Sequence, residues 1–210
     1  MHRFNRTAIA SMALVLSVAA HADGQGAFVQ AGAGQPSAHH SGTAWGLDGG
    51  YRWAAAQSLY IGLEGGYHDL SGTKNRYGYS TTYDGIDGTH TLSSEGTARA
   101  SVQALTVGVN ARWDFTDRMY AIVHGGAARY RERFRSDGST TVDGGTPSSS
   151  HTAYSVYDTC WYAGAGVGFD FTPQLSLQFM YDHYPQRYKV YGLRVSDNLD
   201  VYSTALEYRF

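Results

Sequence analysis

Apolar and polar residues alternate with a period of two in eight separate stretches of this 210-residue chain. A strand has side chains on alternate faces, so this period specifies half-exposed strands and excludes a helical fold. In Ala44–Trp53, Trp45, Leu47, Tyr51 and Trp53 share one face and Gly46, Asp48, Gly50 and Arg52 the other. Leu59–His68 sets Leu59, Ile61, Leu63 and Tyr67 against Tyr60, Gly62, Glu64 and His68. Ala104–Phe115 sets Leu105, Val107, Val109, Trp113 and Phe115 against Thr106, Gly108, Asn110 and Arg112. Ala27–Gly34, Met119–Tyr130, Trp161–Phe171, Gln174–Asp182 and the terminal run through Tyr202, Leu206, Tyr208 and Phe210 complete the set.

The polar faces are rich in glycine and too small to coat a soluble barrel, but their volume suits a narrow lumen. The connections alternate too: Ala54–Ser58, Thr116–Arg118 and Thr172–Pro173 are short, while Gln35–Thr43, Asp69–Ala98, Arg131–Asp158 and His183–Asp197 read as long loops. Short turns at one end and long loops at the other are the pattern of a transmembrane barrel. With the short turns on the periplasmic side, Tyr51, Trp53, Trp113, Phe115, Phe169, Phe171, Tyr208 and Phe210 fall at one rim. Trp45, Tyr67, Trp161, Tyr181 and Tyr202 fall at the other. Such girdles mark the two membrane interfaces. The mean hydropathy of −0.36 excludes a polytopic helical membrane protein but not a barrel, whose inward residues dilute its outward ones.

The fold class expected is therefore all-β: an eight-stranded antiparallel up-and-down barrel with short periplasmic turns and long extracellular loops. The stretches GAGVGFDFTPQLSLQFMYDHY and YSTALEYRF, with RWDFTDRMYAIVHGGAARY, resemble the closing and central strands of the OmpA/OmpX-like family of outer-membrane barrels. The resemblance is one of pattern and spans residues 23–210. It implies the bacterial outer membrane, periplasmic termini, a monomer, and recognition of Leu206, Tyr208 and Phe210 by the barrel-assembly machinery. It does not extend to a peptidoglycan-binding domain.

Residues 1–22 read as a cleaved signal peptide: Arg3 and Arg6, a short apolar run, and the small-x-small site Ala20–Ala22. Its removal leaves 14 basic against 18 acidic residues, a balance that does not suggest nucleic acid. Cys160, the one cysteine, has no intrachain partner and reads as a small strand residue.

Facing the lumen are Asp48, Arg52, Glu64, His68, Arg112, His124, Asp170, Asp182, Glu207 and Arg209. These make either a polar conduit or a salt-bridged plug, and the narrow bore of eight strands favours the plug. Glu64 or Glu207 is expected to pair with Arg52, Arg112 or Arg209.

Outside, Arg129, Arg131, Arg133 and Arg135 share one parity. They must lie above the hydrocarbon, level with lipopolysaccharide phosphates, which guanidinium recognises. A solvated strand extension is the alternative. The Ser-, Thr-, Gly- and Tyr-rich loops suit contact with a host or cell surface, and suit plain solvation equally.

No catalysis is expected. The His-x-Ser pair of lipid A deacylase barrels has its nearest counterpart at His183, but Pro185 stands where the nucleophile would be. His39 with His40, and His151 with Ser155, lack a second partner that would make a metal site or a triad. No cofactor is implied. The expected role is structural and at the surface, in envelope integrity, adhesion or lipopolysaccharide contact; a narrow porin-like channel is the competing class.

Overall fold

The computed structural model describes residues 24–37, 42–190 and 193–210. The signal-peptide reading of residues 1–22 and the His39–His40 pair fall outside these residues. The eight strands are β1 (Gly26–Pro36), β2 (Ala44–Ala56), β3 (Leu59–Gly85), β4 (Gly88–Asp114), β5 (Met119–Val142), β6 (Ser148–Asp170), β7 (Leu175–Val190) and β8 (Leu193–Arg209). Each pairs antiparallel with the next, and β8 returns to β1 to close the barrel. The seam runs from Phe28↔Arg209 to Pro36↔Val201, and the Phe210 amide donates to the Ala27 carbonyl at 3.0 Å. No edge remains along the seam, so its backbone groups need no water.

The polarity is inverted relative to a soluble protein. Val107 points outward and is 65% exposed, whereas Glu207 points inward and is 0% exposed. Leu47, Leu63, Leu105, Val109, Val167, Phe179 and Leu206 share the exposed outer face. Aromatic pairs bound this apolar band at both ends. Tyr51–Trp53, Trp113–Phe115, Phe169–Phe171 and Tyr208–Phe210 lie toward the short turns, at centroid separations of 5.0–6.0 Å. Trp45–Tyr67 and Tyr181–Tyr202 lie at the opposite rim.

Two of the short turns use one device. The Thr116 hydroxyl accepts from the Met119 amide at 2.9 Å, and the Thr172 hydroxyl from the Leu175 amide at 3.0 Å. Each fixes a tight reversal directly after a girdle phenylalanine.

The long connections differ from expectation. Asp69–Ala98 is mostly strand: β3 and β4 each run 27 residues and stay paired to Gly85↔Gly88. β5 and β6 pair as far as Thr140↔Ser148, and β7 and β8 as far as Val190↔Leu193. Thr, Tyr and Val fit a pleated surface. Beyond the rim both faces meet water, so no apolar alternation marks these strands. β2 leaves β3 at Trp45↔Asp69, and β7 leaves β6 at Ala163↔His183. Above those points β3–β4–β5–β6 form a four-stranded sheet rising from the rim. A bulge at Asp69–Gly72, with Ser71 at φ 68°, re-aims β3 where this sheet begins.

Glycines keep the inner face thin. A Cβ on Gly168 would strike the Tyr120 ring, which is fully buried in the lumen. We expect Gly168→Val to destabilise the barrel by about 1–3 kcal/mol through overpacking. Ala165→Val, facing lipid, should be tolerated. The temperature of heat-modifiable gel migration in lipid reads both, and an unshifted Gly168→Val barrel would refute the close-packed lumen.

Candidate functional site

The lumen is filled in layers by side chains projecting from all eight strands. Nearest the short turns lies an ionic layer centred on Glu207 of β8. Arg52 of β2 grips it bidentately at 2.9 and 2.8 Å, and Gln178 donates to it at 2.8 Å. The guanidiniums of Arg112 and Arg209 stand 3.9 and 3.8 Å away. Asp170 accepts from both, from Arg112 at 2.6 Å and from Arg209 at 2.7 Å, and Asp114 takes Arg112 Nε at 2.6 Å. Three guanidiniums thus face three carboxylates, with a ring under two of them: Phe28 lies 3.9 Å from Arg52 and Tyr120 3.6 Å from Arg112. Cation–π contact strengthens as water is excluded.

A second polar layer is built around His124 of β5. Its Nδ1 meets Glu64 at 2.8 Å and its Nε2 meets Asp182 at 2.6 Å. Both ring nitrogens thus have a carboxyl oxygen within hydrogen-bond distance. Tyr162 also donates to Glu64, at 2.8 Å, and Asn110 bridges the layers, donating to Glu64 at 3.0 Å and accepting from Arg52 at 2.8 Å. His68 and Asp48 form a separate pair at 3.0 Å.

Above these layers the filling turns apolar. Leu70, Val102, Tyr130, Tyr184, Leu199 and Val201 pack together with Tyr162, and Cys160 lies against them. Tyr184 meets Tyr130 edge-on at 6.3 Å and stacks on Tyr162 at 6.1 Å. Between this lid and the ions is a cavity of about 40 Å³ bordered by Gln30, Asp48, His68, His124, Asp182 and Ser203, room for roughly three waters.

The lumen residues expected from sequence all point inward, and the structure selects among the pairings that the sequence left open. Glu207 does pair with Arg52, whereas Glu64 takes His124, because Arg52 is already committed two residues lower on the barrel wall. The apolar lid was not foreseen. Its signal was present as continued parity: Leu70 lies two residues beyond His68, Tyr184 two beyond Asp182, and Tyr162 two before Gly164. These positions fell outside or at the margins of the apparent strands.

Outside, Arg129, Arg131, Arg133 and Arg135 climb the outer face of β5. Arg129 is level with Leu105 of β4 and Tyr67 of β3, in the upper girdle, and the others rise above it. Tyr157 of β6 lies beside the lower two, 5.9 Å from Arg129 and 5.6 Å from Arg131. Arg131 Nε has no hydrogen-bond partner among the described residues. Leu206 and Tyr208 face lipid beside the seam, and Phe210 packs on Tyr208 at 5.0 Å. His183 Nδ1 bonds Asp200 at 2.6 Å with Trp161 beside its ring, and Pro185 occupies the next outward position. His151, half-exposed, bonds Asp137 at 2.6 Å.

The tips of the projecting sheet are tied by His90. Its Nδ1 meets Asp143 at 2.6 Å and its Nε2 meets Asp87 at 2.8 Å, while the Thr91 amide donates to Asp143 at 2.7 Å. The bond from Asp143, then that from Asp87, raises the imidazole pKa, and His90 holds both carboxylates below their ordinary range.

A family model described as outer membrane protein beta-barrel domain matches residues 7–210. A search of curated proteins found no match. Among solved structures, the attachment invasion locus protein Ail of Yersinia pestis, in complex with the heparin analogue sucrose octasulfate, is 15% identical. It aligns over 89% of this chain and 99% of its own with a TM-score of 0.44. Neisserial surface protein A is 16% identical over 88% and 97%, with a TM-score of 0.42. The outer membrane enzyme PagL is 17% identical over 87% and 99%, with a TM-score of 0.40.

Two outcomes follow from this geometry. Glu207→Ala orphans buried guanidiniums and should lower the unfolding free energy in lipid by roughly 3–5 kcal/mol, whereas Arg52→Leu with Glu207→Leu should recover much of the loss. Equal stability of Glu207→Ala and the parent in a urea titration would remove the ionic layer from the account. At the sheet tips, the raised His90 value makes its contribution full below the unfolded imidazole value of about 6.5 and lost as pH rises through the folded value. The lowered carboxylates add stability that is lost as pH falls through their folded values. Amide exchange at Thr91, corrected for intrinsic rate, should therefore be slowest in mildly acidic solution and faster at alkaline pH. His90→Asn should flatten that profile, and a profile unchanged by the substitution would exclude the latch.

Proposed function

The chain belongs to the family of outer membrane protein beta-barrel domains, as an OmpA/OmpX-like eight-stranded barrel of the bacterial outer membrane, and from that premise we propose a non-conducting, non-catalytic barrel that works through its outer surface. The observation carrying this reading is the filled lumen. Arg52 and Glu207 are 1% and 0% exposed, and Leu199 and Tyr184 close the bore above them at 0% and 1%. A solute crossing this path would have to break a buried ionic layer and displace an apolar one. Breaking such a pair costs several kcal/mol. That argues against a porin-like channel.

Among the described residues the same reading leaves no site for acyl transfer. His183 has an orienting carboxylate in Asp200, but Pro185 offers no nucleophile on the adjoining outer position. Residues 1–22 would be the export signal, cleaved after Ala22, and the short-turn end with both termini would face the periplasm. The Leu206–Tyr208–Phe210 face would be what the assembly machinery reads.

Outward, the column of Arg129, Arg131, Arg133 and Arg135 would meet lipopolysaccharide phosphates at the girdle and above it. Guanidinium binds phosphate with paired N–H donors. The sheet β3–β6 would extend past the headgroups to meet other surfaces. Envelope integrity through lipid contact, with adhesion through the sheet, is thus the role favoured.

Planar bilayers should show no stable openings from the purified barrel. Replacing all four column arginines by Gln should lower the lipopolysaccharide retained through purification several-fold while the barrel still forms. Steady unitary conductance would overturn the sealed-lumen reading, and full retention of the lipid would overturn the arginine contact.

A further inference from the structure

The outer face of the projecting sheet carries a second arrangement of cations, running across strands rather than along one. Lys74 of β3 is directly opposite Arg99 of β4, and Arg99 is directly opposite Arg135 of β5. All three are exposed, and Arg133, one outward position lower on β5, completes a four-cation cluster. Like charges set directly opposite on neighbouring strands repel and weaken the sheet. At the tip of the same sheet charges are matched, His90 with Asp87 and Asp143. Here Asp137 takes Arg135 Nε at 3.0 Å but is shared with His151 at 2.6 Å. Among the described residues no carboxylate pairs with Lys74, Arg99 or Arg133.

An open groove of about 880 Å³ runs past these cations and is bordered also by Ser101 and Ser155, with Asp69, whose carboxylate accepts from the Ser71 amide, at its foot. Ser101 and Ser155 lie in the row of Arg133, so hydroxyl donors flank the charges. On the opposite side of the sheet Phe134 stacks on Tyr154 at 5.0 Å and 20°, holding β5 against β6 behind the cluster.

We infer that Lys74, Arg99, Arg133 and Arg135 form a binding site for a saccharide bearing two or more phosphate or sulfate groups. Three strands about 4.8 Å apart spread the row over roughly 10 Å, and one step along β5 adds roughly 7 Å. One tetrahedral oxyanion reaches two of these cations, so a single phosphate leaves half the repulsion standing. Two or more, spaced along a sugar scaffold, neutralise the set, with guanidinium forks and an ammonium suited to them. The site rests on the lipopolysaccharide reading only for its assignment to the external side. Two sources present this chemistry: phosphorylated core sugars of lipopolysaccharide and a soluble polyanionic saccharide.

The test uses the full barrel in detergent, stripped of lipopolysaccharide, with inositol hexakisphosphate as probe and calorimetry as readout. The parent should bind the probe at least tenfold more tightly than inorganic phosphate, with affinity falling as salt rises. Lys74→Gln with Arg99→Gln should weaken the probe at least tenfold, Arg99→Lys should retain most of the affinity, and Arg118→Gln, an exposed cation at a short turn, should stay within about twofold. Unaltered heat-modifiable migration certifies folding of each variant. A second arm compares intact lipopolysaccharide with a form lacking core phosphates: selective loss of the intact form in the double variant identifies the lipid core as the source, and loss of the soluble probe alone identifies a soluble saccharide. Binding of the probe by the double variant within twofold of the parent, or binding of inorganic phosphate as tight as that of the probe, overturns the site. Because the probe arm contains no lipid, its result stands apart from the lipopolysaccharide retention assay.

Discussion

A cylinder of eight strands has a bore only wide enough for its own side chains, and this limit governs the rest of the molecule. Closing β8 on β1 satisfies the backbone in lipid but leaves an interior with no room for bulk water. Charges placed there must find one another. The guanidiniums of Arg52, Arg112 and Arg209 surround Glu207, and Asp170 and Asp114 take further donors of Arg112 and Arg209. Where the walls carry glycine, at Gly164, Gly166 and Gly168, the opposing side chains fill the space: His124 with Asp182, Met180, and Tyr120. The interior is therefore a core, built from ions and tyrosines because the outer face has already claimed most of the aliphatic residues.

The layering of this core has a physical logic. An ion pair in a narrow bore needs partners close at hand, and the ionic layer sits where β2, β4, β6, β7 and β8 supply them at one height. The upper bore instead meets the open base of the projecting sheet. A salt bridge there would be wetted and weakened, whereas Leu70, Val102 and Leu199 packed with Tyr130 and Tyr184 exclude water. The small chamber below the lid marks the boundary between the two kinds of filling.

The barrel itself was legible because one face of each spanning strand meets lipid and the other meets this core, which imprints a two-residue period. The girdle from Tyr51 to Phe210 at one rim and that from Trp45 to Tyr202 at the other follow from that period together with the alternation of short and long connections. The projecting sheet lacked the imprint: Tyr79 and Thr82 lie on opposite faces of β3, yet both are exposed. Register across strands is likewise absent from a single sequence. The Arg129–Arg135 column could be seen because it lies within one strand. The row through Lys74 and Arg99 could not, since it exists only once β3, β4 and β5 are aligned. Glu64 shows the same limit inside the barrel, where parity places the side chain but not its partner.

Inside and outside, charged neighbours stand at the same strand spacing, yet they are arranged in opposite ways. An orphaned buried charge costs roughly 3–5 kcal/mol, so the lumen tolerates none. On the exposed sheet, water and salt screen charges over a Debye length of about 8 Å, so opposed cations are a modest burden that a folded ribbon survives. What turns that burden into recognition is order. Were Asp69–Ala98 the loop its composition suggests, Lys74 and Arg99 would move apart and their charges would be a diffuse cloud. Pairing of β3 with β4 out to Gly85↔Gly88 holds them face to face, so their repulsion persists until a multiply charged partner relieves it. The long ribbon is thus what gives the outer surface a site at all.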